Sequence, residues 1–135
     1  MADLTQTATN VKLQSVGSVT VDVAGEALTQ GQPCRLANGK WFRCEAGDDA
    51  AKANCGGLVL TPASTNGRFC RLLPGAEVDL GATLVVGEVY VVSENIGAIA
   101  PIDDLGTGDF VTPLGVALAA DALRFDPQPS GVAKP

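Results

Sequence analysis

The sequence predicts an all-β domain, a small barrel or sandwich of short strands, and three observations lead there. Turn signals such as Asn-Gly, Pro-Gly and Gly-Gly recur about every 8–12 residues, the spacing expected of short antiparallel strands. No stretch carries the apolar period of a convincing amphipathic helix. Third, two segments repeat one order of signals. In residues 82–118, two apolar strands (88–92 and 110–118) flank a turn-rich excursion with Asn95-Ile96-Gly97, Pro101, Asp103-Asp104 and Gly106-Thr107-Gly108. In residues 27–60, Leu28 answers Leu84, Gly31 answers Gly87, Gly39 answers Gly97, Gly57 answers Gly115, and Leu60 answers Leu118. The offset drifts from 56 to 58, which a two-residue insertion near Glu94-Asn95 absorbs. The matches fall on glycines and strand-closing leucines, where backbone geometry limits the choice. The expectation is an internal β duplication, and the alternative is chance similarity between two segments rich in Gly and Val.

A chain of 135 residues makes one domain, divided here into an N-terminal arm (1–10), a β domain (11–125) and a C-terminal tail (126–135). Hydrophobic residues make up 46 % of it but aromatics only 4 %, so Val, Leu and Ala must build the core. Such side chains bury less area than rings do, and the mean hydropathy of +0.21 suggests surface available to partners. The net charge of −6, with no cluster of Lys or Arg, argues against nucleic acid, whose phosphates need a basic face. No apolar run approaches the ~20 residues of a membrane span. The polar start, MADLTQTATN, lacks the basic and apolar regions of a secretory signal, so a reducing cytoplasm is expected.

Residues 1–10 are small, polar and Thr-rich, and read as a flexible arm able to add a strand to a neighbour. Val11-Lys12-Leu13 begins the ordered part. In residues 16–23, Val19, Val21 and Val23 alternate with Thr20 and Asp22 in the pattern of a half-buried strand, which Gly25 ends. Pro33 cannot donate to a ladder, so the next strand starts there or lies at an edge. Asn38-Gly39 suits a type I′ hairpin turn between strands 34–37 and 40–44. Residues 45–54 offer the one plausible helical turn, capped by Asp48 or Asp49. Strands follow at 58–60 and 68–73, the latter closed by Pro74-Gly75, and 77–80 alternates weakly. In 110–118, Phe110, Thr112, Leu114, Val116 and Leu118 share one face. A short strand at 122–125 precedes a proline-rich tail, expected to be extended or disordered.

Few constellations survive as chemistry. The chain has no His, which removes the commonest general base and any Ser-His-Asp or Cys-His arrangement. Cys34, Cys44, Cys55 and Cys70 are separated by nine, ten and fourteen residues, without the C-x-x-C of a structural zinc site. In a strict two-residue hairpin Cys34 faces Arg43. With a three-residue loop it faces Cys44 and a Cys34–Cys44 disulfide becomes feasible. The alternative is four reduced, small apolar residues in the core. Asp48-Asp49 and Asp103-Asp104 read as solvated loops rather than as catalytic pairs, because adjacent side chains diverge. Trp41 and Phe42 point to opposite faces of a strand. One of them is then an interface candidate, unless a barrel wall with a loop over it covers both.

Several motifs share an order with a known family. These are the hairpin Gly31-Gln32-Pro33-Cys34-Arg35-Leu36 through Gly39-Lys40 and the acidic, Ala-rich turn at 48–53. The paired strands of 75–93 (GAEVDLGATLVVGEVYVVS), the GAIAP of 97–101 and the TPLGVA of 112–117 follow. Together they resemble the tailed-bacteriophage capsid decoration (cement) proteins over about 100 residues. The cysteines depart from the family pattern and stand at apolar places. The resemblance implies a non-enzymatic protein without cofactors that sits on the outer capsid surface of the virion. There it would clamp neighbouring major capsid subunits, as a homo-trimer first and a dimer second. Leu4, Val11, Leu13, Trp41, Phe42 and Arg43 are the expected capsid or subunit interface. The alternative is a carbohydrate-binding β module or head-fibre adhesin, with Trp41 beside Asn38 as its aromatic platform.

Overall fold

The repeated order of glycines and leucines reappears as a repeated strand order. The computed structural model describes residues 3–47 and 49–135. Its first sheet holds β2 (Val19–Val23), β3 (Pro33–Ala37), β4 (Lys40–Arg43), β5 (Gly57–Val59) and β6 (Arg68–Leu72), in the order β2-β6-β5-β3-β4. Its second sheet holds β7 (Ala76–Leu80), β8 (Val89–Val92), β9 (Ile99–Pro101), β10 (Pro113–Ala119) and β11 (Ala122–Phe125), in the order β7-β11-β10-β8-β9. Strand for strand the two orders are the same, and all pairings within them are antiparallel. A short β1 (Val11–Leu13) is added to the second sheet beside β7. The fold is therefore all-β, with two antiparallel sheets.

Details of the backbone support the duplication. Gly31 and Gly87 have φ of +85° and +86°, and Gly39 and Gly97 both have +77°. Only glycine adopts such angles freely, which accounts for glycine at both positions of each pair. The hydrogen bonds repeat too. Leu28 N–H donates to Ala63 O as Leu84 N–H does to Ala120 O, and Gly31 N–H to Val59 O as Gly87 N–H to Ala117 O. The repeated unit is wider than the two segments recognised in the sequence, since it takes in β2 and β6 on one side and β7 and β11 on the other. Strand β9 was read as part of a loop, because only three residues of it pair.

Each repeat rolls toward a barrel, and the two close differently. In the first, Gly25 N–H donates to Trp41 O at 2.7 Å, joining the end of β2 directly to β4. In the second, the corresponding edges are Gly81, after β7, and Ile99 in β9. They do not meet. The N-terminal segment lies between them, with Leu4 N–H on Ile99 O (2.8 Å) and Thr7 N–H on Gly81 O (2.7 Å). Gln6 Nε2 donates to both Gly31 O (3.1 Å) and Leu80 O (2.9 Å), one acceptor from each repeat. Asp3 accepts from Ser93 Oγ and from Asn95 Nδ2. This corrects the expectation of a free arm: residues 3–10 fill a seam in their own chain. Met1 and Ala2 lie outside the described residues.

The tail is extended, one of its two expected states, and it pairs along residues 108–114 through Val111 N–H to Val132 O, Ser130 N–H to Val111 O and Lys134 N–H to Asp109 O. The Ala-rich stretch after Cys44 is a single turn, with Lys52 N–H donating to Asp49 Oδ1; Asp48, the other proposed cap, lies outside the described residues. This loop joins the repeats, because Ala46 N–H donates to Ser93 O and Ala46 O accepts from Phe110 N–H.

The core follows from this arrangement. A small cluster (Ala24, Leu28, Cys34, Trp41, Val59, Phe69) fills the first barrel. A larger one fills the second around Tyr90, Leu123 and Phe125 and takes in Leu58 and Leu72 from the outer wall of the first. A methyl group at Gly81 would lie 2.3 Å from Thr7 O, on a residue with φ of +74°. Gly81→Ala is expected to cost about 2–4 kcal/mol in urea unfolding, through the clash and the left-handed backbone together. In a chain lacking residues 1–10 the clash is gone, and only the ~1 kcal/mol backbone part should remain. Equal losses in the two backgrounds would show that the segment does not occupy the seam.

Candidate interaction surface

Strand β2 is built inside out. Its register places Thr20 opposite Arg71 and Asp22 opposite Phe69, so these two polar residues face the interior with Phe69 and Arg71. The valines face outward, with Val19 42 % and Val21 59 % exposed. The equivalent strand of the second repeat shows the ordinary arrangement, in which Ala76, Val78 and Leu80 are buried and Glu77 and Asp79 lie toward solvent. The sequence pattern alone could not tell these apart, because alternation specifies two faces and not which of them is inside.

The inward charges of the first repeat are satisfied. Arg71 Nε donates to Asp22 Oδ2 at 2.9 Å, its Nη1 donates to Gly56 O at 2.9 Å, and its guanidinium lies 4.0 Å from the Trp41 ring centroid. A planar cation can stack on the ring and still use its in-plane donors, which a lysine could not do as well. The signal for Asp22 and Arg71 was present in the sequence as an arginine between apolar residues of one strand and an aspartate between valines of another. It becomes readable only when the repeats are superposed, where Val78 and Phe125 stand in the second.

The expected interface residues separate into groups. Leu4, Val11 and Leu13 are half-buried and pack against the main core. Trp41 is 7 % exposed and belongs to the first barrel, so it offers no face to a partner or a sugar. Phe42 lies over Gly25 and under the Arg35 guanidinium, 5.4 Å from the ring centroid. Arg43 is held by Glu26, through its backbone N–H (2.8 Å) and its Nη2 (3.2 Å). Burial works to raise the Glu26 carboxyl, but these bonds from Arg43, with its charge and that of Arg35, hold it below the usual range. The chain thus covers Trp41 itself and leaves Phe42 half-buried.

The Cys34–Cys44 bridge is not formed. Ala37 pairs with Lys40, so the hairpin has the strict two-residue loop and Cys34 faces Arg43. All four cysteines are free thiols; Cys34, Cys44 and Cys55 are buried and Cys70 is half-buried. Burial pushes the Cys34 and Cys44 thiols well above their usual value, and for Cys44 a hydrogen bond with Cys55 adds to it. Cys55 Sγ in turn donates to Gly57 O at 3.2 Å. Cys34 and Cys44 are thus buried thiols held in the protonated form, which is not the nucleophilic one.

Among the described residues, no group of three or more His, Cys, Asp or Glu side chains could hold a metal ion. A polar groove of about 570 Å³ runs beside Thr5, Thr7 and Thr9, with Lys12, Asp79 and Asp121 on its walls, and brings no nucleophile to a base. Among the described residues, no helix is long and apolar enough to cross a membrane. The surface that needs explaining is the valine row.

Two predictions follow from the first repeat. Asp22→Val and Arg71→Phe, made singly, should each cost about 3 kcal/mol by stranding a charge, while the double variant, which copies the second repeat, should lose less than either. Additive losses in a double-mutant cycle would contradict the pairing. Second, the folded state keeps the Cys34 and Cys44 protons, whereas the unfolded chain releases its own near pH 8.5. Their stabilisation is complete below about that pH and is lost as pH rises through the folded-state values. Unfolding free energy should fall above about pH 8.5 by up to ~2.7 kcal/mol per unit, and a Cys34→Ala/Cys44→Ala variant should show a flatter slope under reducing conditions. No protein-family model matches the chain, nor does any curated protein, so the meaning of the surface rests on its own geometry.

Proposed function

We propose that this chain is a decoration (cement) protein of a tailed-bacteriophage head. It binds the outer surface of the assembled shell and bridges neighbouring major capsid subunits, so that they resist being pulled apart. The role is mechanical and asks for no proton-transfer group and no cofactor. The observation that carries the reading is the inversion of β2. A strand that turns charges inward, and satisfies them there, while showing a row of valines outward is organised for a partner. The second repeat demonstrates that the same fold accepts the opposite arrangement. Scattered exposed valines are unremarkable, but a row facing solvent at the cost of a charged interior is not. The order of motifs shared with the cement family supports the same reading. The acidic surface, at net charge −6, argues for a protein partner over nucleic acid. Because residues 3–10 are engaged within the chain, the capsid contact is assigned to β2 and not to a free arm. In this reading the protein acts as an oligomer, a trimer first and a dimer second.

Purified protein added to expanded empty heads of its own phage should bind at a fixed copy number and raise their melting temperature by several degrees. Val19→Asp/Val21→Asp should abolish binding while leaving the melting temperature of the free protein within a few degrees of its starting value. Undiminished binding by this variant would remove β2 from the interface, and no binding by the unaltered protein would overturn the function.

A further inference from the structure

The net charge of −6 is not spread evenly over the chain. Residues 74–135 carry nine Asp or Glu against two Lys or Arg, whereas residues 14–73 carry five against six. The acidity therefore belongs to the second repeat, and the valine row lies on the repeat without it. The described carboxylates of the first repeat are all engaged. Asp22 is paired with Arg71, Glu26 with Arg43 and Glu45 with Lys52, and Asp49 accepts from the Lys52 N–H. Lys40 and Arg68 are exposed, and neither has an ion-pair partner among the described residues.

The register brings these two cations to one end of the valine row. Arg68 stands opposite Val23, the last residue of β2, and so shares the outward face of Val19 and Val21. On the other side of β2, Ala24 is bridged to Trp41, which sets Lys40 beside Val23. Because Trp41 points into the barrel, Lys40 before it points out. Its Nζ donates to Asn66 Oδ1 at 2.6 Å, which leaves the ammonium two further donors. Residues 61–67, which border this end, contain no acidic residue, and neither does the Asn38-Gly39 turn. At the other end of β2, residues 14–19 and 72–76 contain no charged residue. The row is therefore polarised, cationic at its Val23 end and uncharged at its Val19 end. The bare outer wall of the second repeat, with Val116 and Leu118 of β10 exposed, differs in this respect. Arg124 on the adjoining β11 stands opposite Glu77, so the cation there has a carboxylate across from it in its own chain.

We infer that the partner docked on β2 presents carboxylate side chains to Lys40 and Arg68, at the end of an apolar strip that covers Val19 and Val21. The inference deepens the proposed function and rests on it: the occupant is the outer face of a shell subunit, and the two cations specify the chemistry of that face. Protein interfaces combine an apolar centre with a polar rim. Charges at the rim steer encounter and fix register more than they add affinity. With cations at one end only, a partner laid along β2 in the reverse sense would bring its carboxylates to the uncharged end and lose the match.

Binding of the purified full-length chain to expanded empty heads, followed at several salt concentrations, tests this. The unaltered protein should bind less tightly as salt rises from about 50 to about 500 mM, because the rim charges are screened. Lys40→Glu/Arg68→Glu should weaken binding at low salt by about tenfold or more and abolish or reverse the salt dependence, with the melting temperature of the free protein little changed. Lys40→Gln/Arg68→Gln, which only removes the charges, should fall between the two and serves if the reversal unfolds the chain. Lys12→Glu/Arg124→Glu makes the same change of net charge on the second sheet and should leave binding nearly unaltered. Binding indifferent to salt, or undiminished in the Lys40 and Arg68 variants, would overturn the inference and leave the cement reading in place. Equal weakening by Lys12→Glu/Arg124→Glu would do the same, since the effect would then be one of net charge alone. No binding of the unaltered protein at any salt would overturn the cement reading and the inference with it.

Discussion

The constraint on which this structure depends is that a rolled β-sheet must do something with its two edges. Unpaired backbone donors and acceptors at an edge invite pairing with other chains, and closing the sheet on itself removes them. The first repeat closes by direct contact between the end of β2 and β4. In the second the corresponding edges stand apart, and the chain supplies its own N-terminal segment as the missing piece. Gln6 then reaches one carbonyl in each repeat, so a single side chain ties the seam to the joint between the two barrels. The glycine at position 81 is explained by this arrangement, because no side chain fits between the sheet edge and Thr7 O.

The two repeats share one strand order and differ in what they enclose and what they expose. The second has an apolar interior anchored by Tyr90 and Phe125 and a polar outer row on β7. The first accepted an arginine and an aspartate inside its barrel, stacked and paired against Trp41. A buried pair of this kind is a poor source of stability compared with apolar residues of similar volume. Its presence makes sense if the outward side of β2 is what was selected. The aromatic side chains, few as they are, go mostly to the interior, so both outward-facing surfaces are aliphatic. Together the valine row of the first repeat and the bare wall of the second give the molecule two separate apolar surfaces.

How much of this was legible beforehand depends on the length scale of each signal. The hairpin at Asn38-Gly39 was readable because positive φ at two successive residues admits almost no other dipeptide, and its two-residue loop excluded the Cys34–Cys44 bridge once the register was known. The repeat was readable through Gly31 and Gly87 and through Leu28 and Leu84, whose backbone roles leave little freedom. The pairing of the two ends of the chain was not legible, for one reason. Segments rich in Thr, Pro and Gln carry no apolar pattern, yet each pairs through backbone groups that composition does not reveal. Trp41 was misjudged for another, since alternation on a strand names two faces without saying which is enclosed.

By itself, the sequence determined the class of fold, the positions of the turns, the existence of two related halves and the absence of imidazole chemistry. All of these follow from local backbone preference and from which residue types are present. Only the tertiary structure decided which face of β2 is inside, where residues 3–10 lie, and which wall of each repeat is left open. These are matters of packing between segments far apart in the chain, and a strand's own residues carry that information only in the company of the neighbours against which they close.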